Sequence, residues 1–378
     1  MRRNDLFILK KIDNDIFLIP TGQAASDMRK ALMINERGEF IWETLATDMK
    51  REHLIRLVLE HYMPERDRAE AVSQDVFAFT SKLMALGMII SEDVPIGKDA
   101  FINTDIVISG VKLRIKTEED ILFEKLVPFK GEFETPDIIV RFRIGLPSYT
   151  ENGNVILRNK DVTVLDAENE YIVIHTGTER IKEIHIDKSG KEANIFSMPP
   201  YDDTLKEEFM LALKAPFLIN ALNNGMFMLP SSAVLDSEKL VLFAAPPGTG
   251  KSTQAEIWAR SFNAPKINDG FNLLKVSDGE VVSYATPWNG MEEENVTNIY
   301  KVKSVMCLRR NTFDKVEPMD KPTGVLSLLS LSATPLWTGD MTSKALEICE
   351  HIYETVDVKR FFCTPTPDSA QCAKLSID

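Results

Sequence analysis

Cysteine is scarce. The chain has four, Cys307, Cys349, Cys363 and Cys372, and no two stand in a Cys-x-x-Cys pair. That argues against a disulfide framework and a thiolate metal site, and the thiols read as reduced groups of a cytoplasmic protein. Long apolar runs are missing too. None approaches the roughly 18–20 residues that a membrane helix needs, so no membrane role is expected. Met1-Arg-Arg-Asn-Asp5 carries two positive charges but no apolar stretch after them, and does not read as a secretion signal. Positive charge is in deficit. Lys and Arg number 44 against 57 Asp and Glu, and the net charge of −13 argues against nucleic acid as the main partner. Histidine is rare, and none of the five lies near the glycine-rich stretch at 245–253. His175 and His185 fall in strand-like segments and read as structural or exposed groups.

What is present fits a globular protein of two or three domains: 378 residues, 44% apolar and 27% charged. The chain is organised around Ala245-Pro-Pro-Gly-Thr-Gly-Lys-Ser-Thr253. Before it, Lys239–Ala244 is an apolar, β-forming run of one buried strand's length. After it, Ala255, Trp258 and Phe262 recur at helical spacing. Strand, glycine-rich turn and helix in that order are what a phosphate-binding loop requires. Gly248 and Gly250 let successive backbone N–H groups turn toward phosphate oxygens, and the helix N-terminus adds its dipole. Pro247, Gly248, Thr249, Gly250, Lys251, Ser252 and Thr253 are therefore the nucleotide-binding candidates. In this pattern Lys251 reaches the outer phosphates and Ser252 offers a hydroxyl to Mg²⁺. Ala245 stands where the strict pattern has glycine.

Many phosphate-loop enzymes hold their metal with an acid on a following strand. Asp269, 18 residues after Lys251, is the candidate. It would be both metal ligand and catalytic acid–base group. The competing reading is a plain Asn268-Asp-Gly270 turn.

Along the rest of the chain, Leu6–Leu9 and Ile16–Ile19 read as a hairpin or two short strands, and Ala31–Ile34 as a strand end. Helices are expected over Glu36–Leu45, capped by Asn35, over Arg51–Tyr62, and over Ala69–Leu86, stopped by Gly87. Met88–Ile90 reads as a short strand and residues 91–100 as a linker. Six or seven strand-like segments between Ile106 and Ile186 predict an antiparallel sheet. Two helices follow, Asp203–Ala215 and Phe217–Asn224. Farther on, a helix is expected over Ser343–Tyr353 and a strand over Val358–Cys363.

The N-terminal segments Leu32–Leu45 (LMINERGEFIWETL) and Asp75–Ile89 (DVFAFTSKLMALGMI) resemble PqqD-like peptide-binding modules. The resemblance implies a small winged-helix-like module that binds a leader peptide along a sheet edge. A packing module without a ligand is the alternative. DNA binding is disfavoured, because Lys82 is almost alone as a base on the third helix.

Residues 100–378 resemble the HPr kinase and phosphoenolpyruvate-carboxykinase-like group. The likeness is carried by Ser232-Ala-Val234, Gly248–Thr253, Trp258, Ile267-Asn-Asp269, Thr286-Pro-Trp-Asn-Gly290 and Asn295. It implies an ATP- and Mg²⁺-dependent serine kinase acting on a peptide or protein, in a branch found beside peptide-modification enzymes. Three positions depart from the pattern: Pro230 replaces a histidine, Gly270 or Asn268 an acid, and Met291 a lysine. A non-catalytic ATP-binding, leader-peptide-binding partner is thus the second reading, and a small-molecule kinase the third. The expected fold is α+β/α/β: a PqqD-like module (1–92), an antiparallel β-rich region with helices (93–228) and a phosphate-loop core (229–378). ATP against GTP and homo-oligomerisation stay open.

Overall fold

The fold is that of a computed structural model. It describes all residues except 23–24, 26–30, 66–67, 86–87, 91–101, 118–120, 122, 145–152, 198–201, 289–297 and 378. The expected linker at 91–100, the helix stop at Leu86-Gly87, and Gly290, Met291 and Asn295 lie outside the described residues.

The N-terminal alternation forms sheet as expected. After β1 (Arg2–Arg3), β2 (Phe7–Ile12) and β3 (Asp15–Pro20) pair antiparallel, with Ile12 opposite Asp15. Asp13, at φ 52°, makes the turn in a left-handed conformation that Asp adopts more readily than most residues. β4 (Leu32–Ile34) adds to the other side of β3. Helices α1 (Glu36–Thr44), α2 (Arg51–Tyr62) and α3 (Ala69–Ala85) follow, then β5 (Ile89–Ile90), which pairs with β1. The Asn35 side chain accepts from Gly38 N at 2.9 Å and starts α1. These elements have a core of their own, built on Leu18, Trp42, Leu45, Leu54 and Leu83. Burial of each such side chain contributes about 1.5–3 kcal/mol.

The second sheet corrects the expectation of a purely antiparallel region. It has eight strands: β6 (Ile102–Ile108), β7 (Val111–Thr117), β8 (Ile138–Ile144), β9 (Asn154–Arg158), β10 (Val162–Asp166), β11 (Glu170–His175), β12 (Ile181–Asp187) and β13 (Glu192–Ser197). Their order is β6-β7-β8-β13-β12-β11-β10-β9, and β8 runs parallel to both β7 and β13. A period-2 pattern identifies strands but not their direction. The sequence reading also missed β13, whose polar Asn194 interrupts a short apolar run.

Next comes one helix rather than two, α4 (Asp203–Asn223), with Pro216 inside it. Proline removes one helical hydrogen bond. Here Leu205, Phe209, Leu213, Phe217 and Ile219 are buried on both sides of it, and packing carries the helix through.

The third sheet holds the glycine-rich loop. Its elements are β14 (Met226–Asp236), β15 (Lys239–Ala244), α5 (Lys251–Phe262), β16 (Lys266–Ser277), β17 (Glu280–Tyr284), β18 (Ile299–Arg310), β19 (Lys315–Pro318), α6 (Lys321–Ser330), α7 (Gly339–Thr355), β20 (Asp357–Cys363) and α8 (Pro367–Leu375). The strand order is β15-β14-β16-β17-β18-β20-β19, and β15 also pairs parallel with β18. Helices α5 and α8 cover one face through Val241, Phe243, Trp258 and Phe361. Leu240, Leu242 and Val305 point the other way, into a core shared with α4, α7 and the eight-stranded sheet. Residues 93–228 and 229–378 therefore pack around common ground. Among the described residues, no helix is long and apolar enough to cross a membrane.

Candidate functional site

β15 is buried along nearly its whole length, and β14 and β18 flank it, so the loop at its end has a fixed base. Gly248 and Gly250 have φ of 75° and 113°, which side-chain-bearing residues rarely adopt. No described residue lies within 4 Å of where a Cβ on Gly248 would stand, so among the described residues the backbone there faces open space. Gly250 is also the N-cap of α5. No side chain caps that helix and no acid sits in its first turn, which leaves first-turn amides for an outside anion. On the far side of the helix, Trp258 is fully buried, with its ring 6.0 Å from that of Phe243.

Lys251 folds back over the loop. Its Nζ donates to the carbonyls of Ala245 at 3.0 Å and Pro246 at 3.3 Å. Burial holds its pKa below the ordinary lysine value, against the pull of Asp269.

Asp269 lies inside β16, not in a turn. Ser232 of β14 is its antiparallel partner. Two hydroxyls donate to the same oxygen, Asp269 Oδ1: Ser232 Oγ at 2.6 Å and Ser252 Oγ at 2.7 Å. Asp269 Oδ2 takes Lys266 Nζ at 3.0 Å. Burial acts to raise the Asp269 pKa. The bonds from Ser232, Ser252 and Lys266 outweigh it and leave the carboxyl below its ordinary value, ionised at neutral pH. On the opposite face of β16, buried Asn272 bonds Ser231, Asn268 and Ser283 and holds the register.

Of the residues singled out in the sequence, Lys251, Ser252 and Asp269 thus converge at the start of α5. Thr249 and Gly250 lead into them, and Thr253 is exposed on the first turn. Pro230 lies opposite Phe271 in β14, two residues from Ser232. Gly270 has a φ of 139°, so an acid there would strain the backbone as well as add charge. Trp288 anchors the end of β17 to α4, donating from Nε1 to Met210 O at 2.6 Å.

Sequence reasoning missed two cations. Lys266 pairs with Asp269. Arg310, last in β18, donates from Nε to Thr249 O at 2.8 Å and also bonds Gly248 O. Arg310 therefore holds loop carbonyls from outside, which favours amides facing the cradle. A paired Arg309-Arg310 closing an apolar strand was the available signal, because ligands gather at the carboxyl ends of parallel strands.

Ser252 Oγ and Asp269 Oδ1 form the oxygen-donor set that a hard divalent cation takes. The open backbone at Gly248 and Lys251 suit a polyphosphate. The residues present fit a nucleotide with Mg²⁺.

No protein-family model matches the chain, and no curated protein matches it. Among solved structures it is similar to the HPr(Ser) kinase/phosphatase from Coxiella burnetii, at 10% identity and a TM-score of 0.24. The match covers 39% of this chain and 95% of that one. A likeness of that size assigns neither activity nor ligand.

Proposed function

We propose that this protein is an ATP-dependent kinase that phosphorylates a serine hydroxyl of a peptide or protein, a ribosomally made precursor peptide being the expected class. The observation that carries the reading is the shared carboxylate oxygen: Ser232 and Ser252 both donate to Asp269 Oδ1 beside the glycine-rich loop.

Loop amides from 248–252 and Lys251 hold the phosphates, and Arg310 fixes the loop behind them. Ser252 and Asp269 would hold Mg²⁺, which when bound neutralises charge on the phosphate oxygens. Asp269 Oδ2 orients the attacking hydroxyl and receives its proton. The serine oxygen bonds to the γ-phosphorus as the bond to the bridging oxygen breaks, and ADP leaves with that electron pair. To do this Asp269 Oδ2 exchanges its bond to Lys266 for one to the acceptor. General-base assistance of this kind is worth roughly 10²–10⁴-fold.

The N-terminal unit supplies the peptide in this reading. The outward face of its three-stranded sheet carries Ile8 and Met33, 48% and 62% exposed, and β4 has a strand on one side only among the described residues. Such an edge suits an added peptide strand. We assign it to a module of residues 1–92, ahead of a β-rich region (93–228) and the nucleotide-binding core (229–378).

The second reading, a non-catalytic ATP-binding partner of a peptide-modification system, draws on one observation. Lys266 already occupies Asp269 Oδ2, and Gly270 provides no second acid. Incubation with γ-labelled ATP, Mg²⁺ and serine-containing precursor peptides separates the two. The kinase reading expects label on serine, whereas ATP binding without any transfer favours the partner.

A further inference from the structure

A further cation lies along the strand that carries Asp269. Lys214 of α4 is half-buried, and its Nζ stands 3.4 Å from the centroid of the Phe271 ring. No carboxylate among the described residues acts on it, and burial alone lowers its pKa to about 8. Three other lysines of this half of the chain pair with carboxylates: Lys266 with Asp269, and Lys303 and Lys374 with Asp236.

The position matters because Phe271 stands two residues from Asp269 in β16. Phe271 pairs with Pro230 and Asp269 with Ser232, without a bulge between them. Two residues of strand span about 6.6 Å. Phe271 thus lies beside Asp269, toward the strand end away from Lys266. The loop helix α5 meets Asp269 through Ser252, whereas Lys214 reaches Phe271 from α4. A cation held over a ring face is charged but has its hydrogen-bond donors unspent. An arriving carboxylate would complete it.

We propose that Lys214 and Phe271 form an acceptor-side subsite that recognises a carboxylate next to the hydroxyl receiving the phosphoryl group. The proposal rests on the kinase reading above and names its substrate class: a serine peptide with an acidic residue adjacent or two positions away, or with a nearby free chain end. Lys214 is a specificity residue here and moves no proton. The aliphatic part of the acceptor lies on the Phe271 ring.

The test uses the full chain, with ¹³C-lysine labelling and the Lys214→Gln variant to assign the Lys214 ε-carbon signal. The probes are a serine peptide flanked by glutamates and its glutamine counterpart. The Lys214 signal shifts with the glutamate peptide and stays in place with the glutamine peptide. Equal response to both, or to neither, overturns the subsite, as does a larger shift with ATP and Mg²⁺ alone. A peptide whose sole carboxylate is its C-terminus, compared with its amide, tells a chain end from a side chain. In phosphoryl transfer, Lys214→Gln raises KM for the glutamate peptide by about tenfold or more and leaves kcat and the glutamine peptide unchanged. Lys214→Arg retains the preference. A parent protein that transfers to neither peptide counts against the kinase reading, and the signal shift then decides the subsite by itself.

Discussion

Ser252 Oγ lies 2.7 Å from Asp269 Oδ1, and this contact joins the first turn of the loop helix to β16. It ties a hydroxyl that follows the loop lysine to an acid 17 residues later, in one metal-sized set of oxygens.

Lys251 is the loop's own cation. Lys251→Ala should weaken ATP binding about 10–100-fold, since a hydrogen bond to a charged group is worth roughly 1.5–3 kcal/mol. Calorimetric titration with ATP and Mg²⁺ measures it. Equal affinity in variant and parent would remove the phosphate-loop assignment.

Arg310 acts through the loop. Arg310→Ala frees the carbonyls of Gly248 and Thr249, and the same titration should show a loss of about tenfold. Arg310 is exposed, so the melting temperature should stay close to the parent's. A large fall in melting temperature with affinity unchanged would make Arg310 a stability residue instead.

Much of this site was legible in the sequence, and the reasons are local. Gly248, Gly250 and Lys251 announce a loop because few other conformations need glycines at that spacing before a helix. Asp269 was ambiguous, since Asn-Asp-Gly also makes turns. Pairing with β14 decided for strand, and that pairing is long-range. Lys214 was invisible for the same reason, and Arg310 showed only as a basic pair closing an apolar strand: each reaches the site from an element far away in the chain. Pro216 predicted a helix break that packing of Phe209, Leu213 and Phe217 overrides. Strand direction around β8 depends on connections that no periodicity records.

His185 gives a pH test of the eight-stranded sheet. It is buried, with Nδ1 2.9 Å from Glu170 Oε1 and Nε2 2.8 Å from Glu183 Oε1. Burial acts to lower its pKa, but the two carboxylates outweigh it and the net shift from 6.5 is upward. A raised folded pKa means the stabilisation is fully present below the unfolded pKa and is lost as pH rises through the folded one. The stability difference between parent and His185→Gln in urea should therefore be largest below pH 6.5 and shrink as pH rises above it. A difference that is constant or grows with pH would contradict this.

The N-terminal unit has a separate core, so a fragment of residues 1–92 should unfold cooperatively by itself. Its labelled amides in β2–β4 should shift when a precursor peptide is added. A fragment that melts without a transition, or a folded one that ignores the peptide, would detach this module from the proposed function.

The central claim is that Asp269 serves phosphoryl transfer. The direct measurement is the rate of label transfer from γ-labelled ATP to a serine-containing precursor peptide by the parent and by Asp269→Asn, with ATP affinity measured in parallel. The substitution keeps the side-chain shape and leaves Lys251 and the loop amides in place. Transfer should fall by roughly 10²–10⁴-fold while ATP still binds. Transfer at the parent rate in Asp269→Asn would contradict the account.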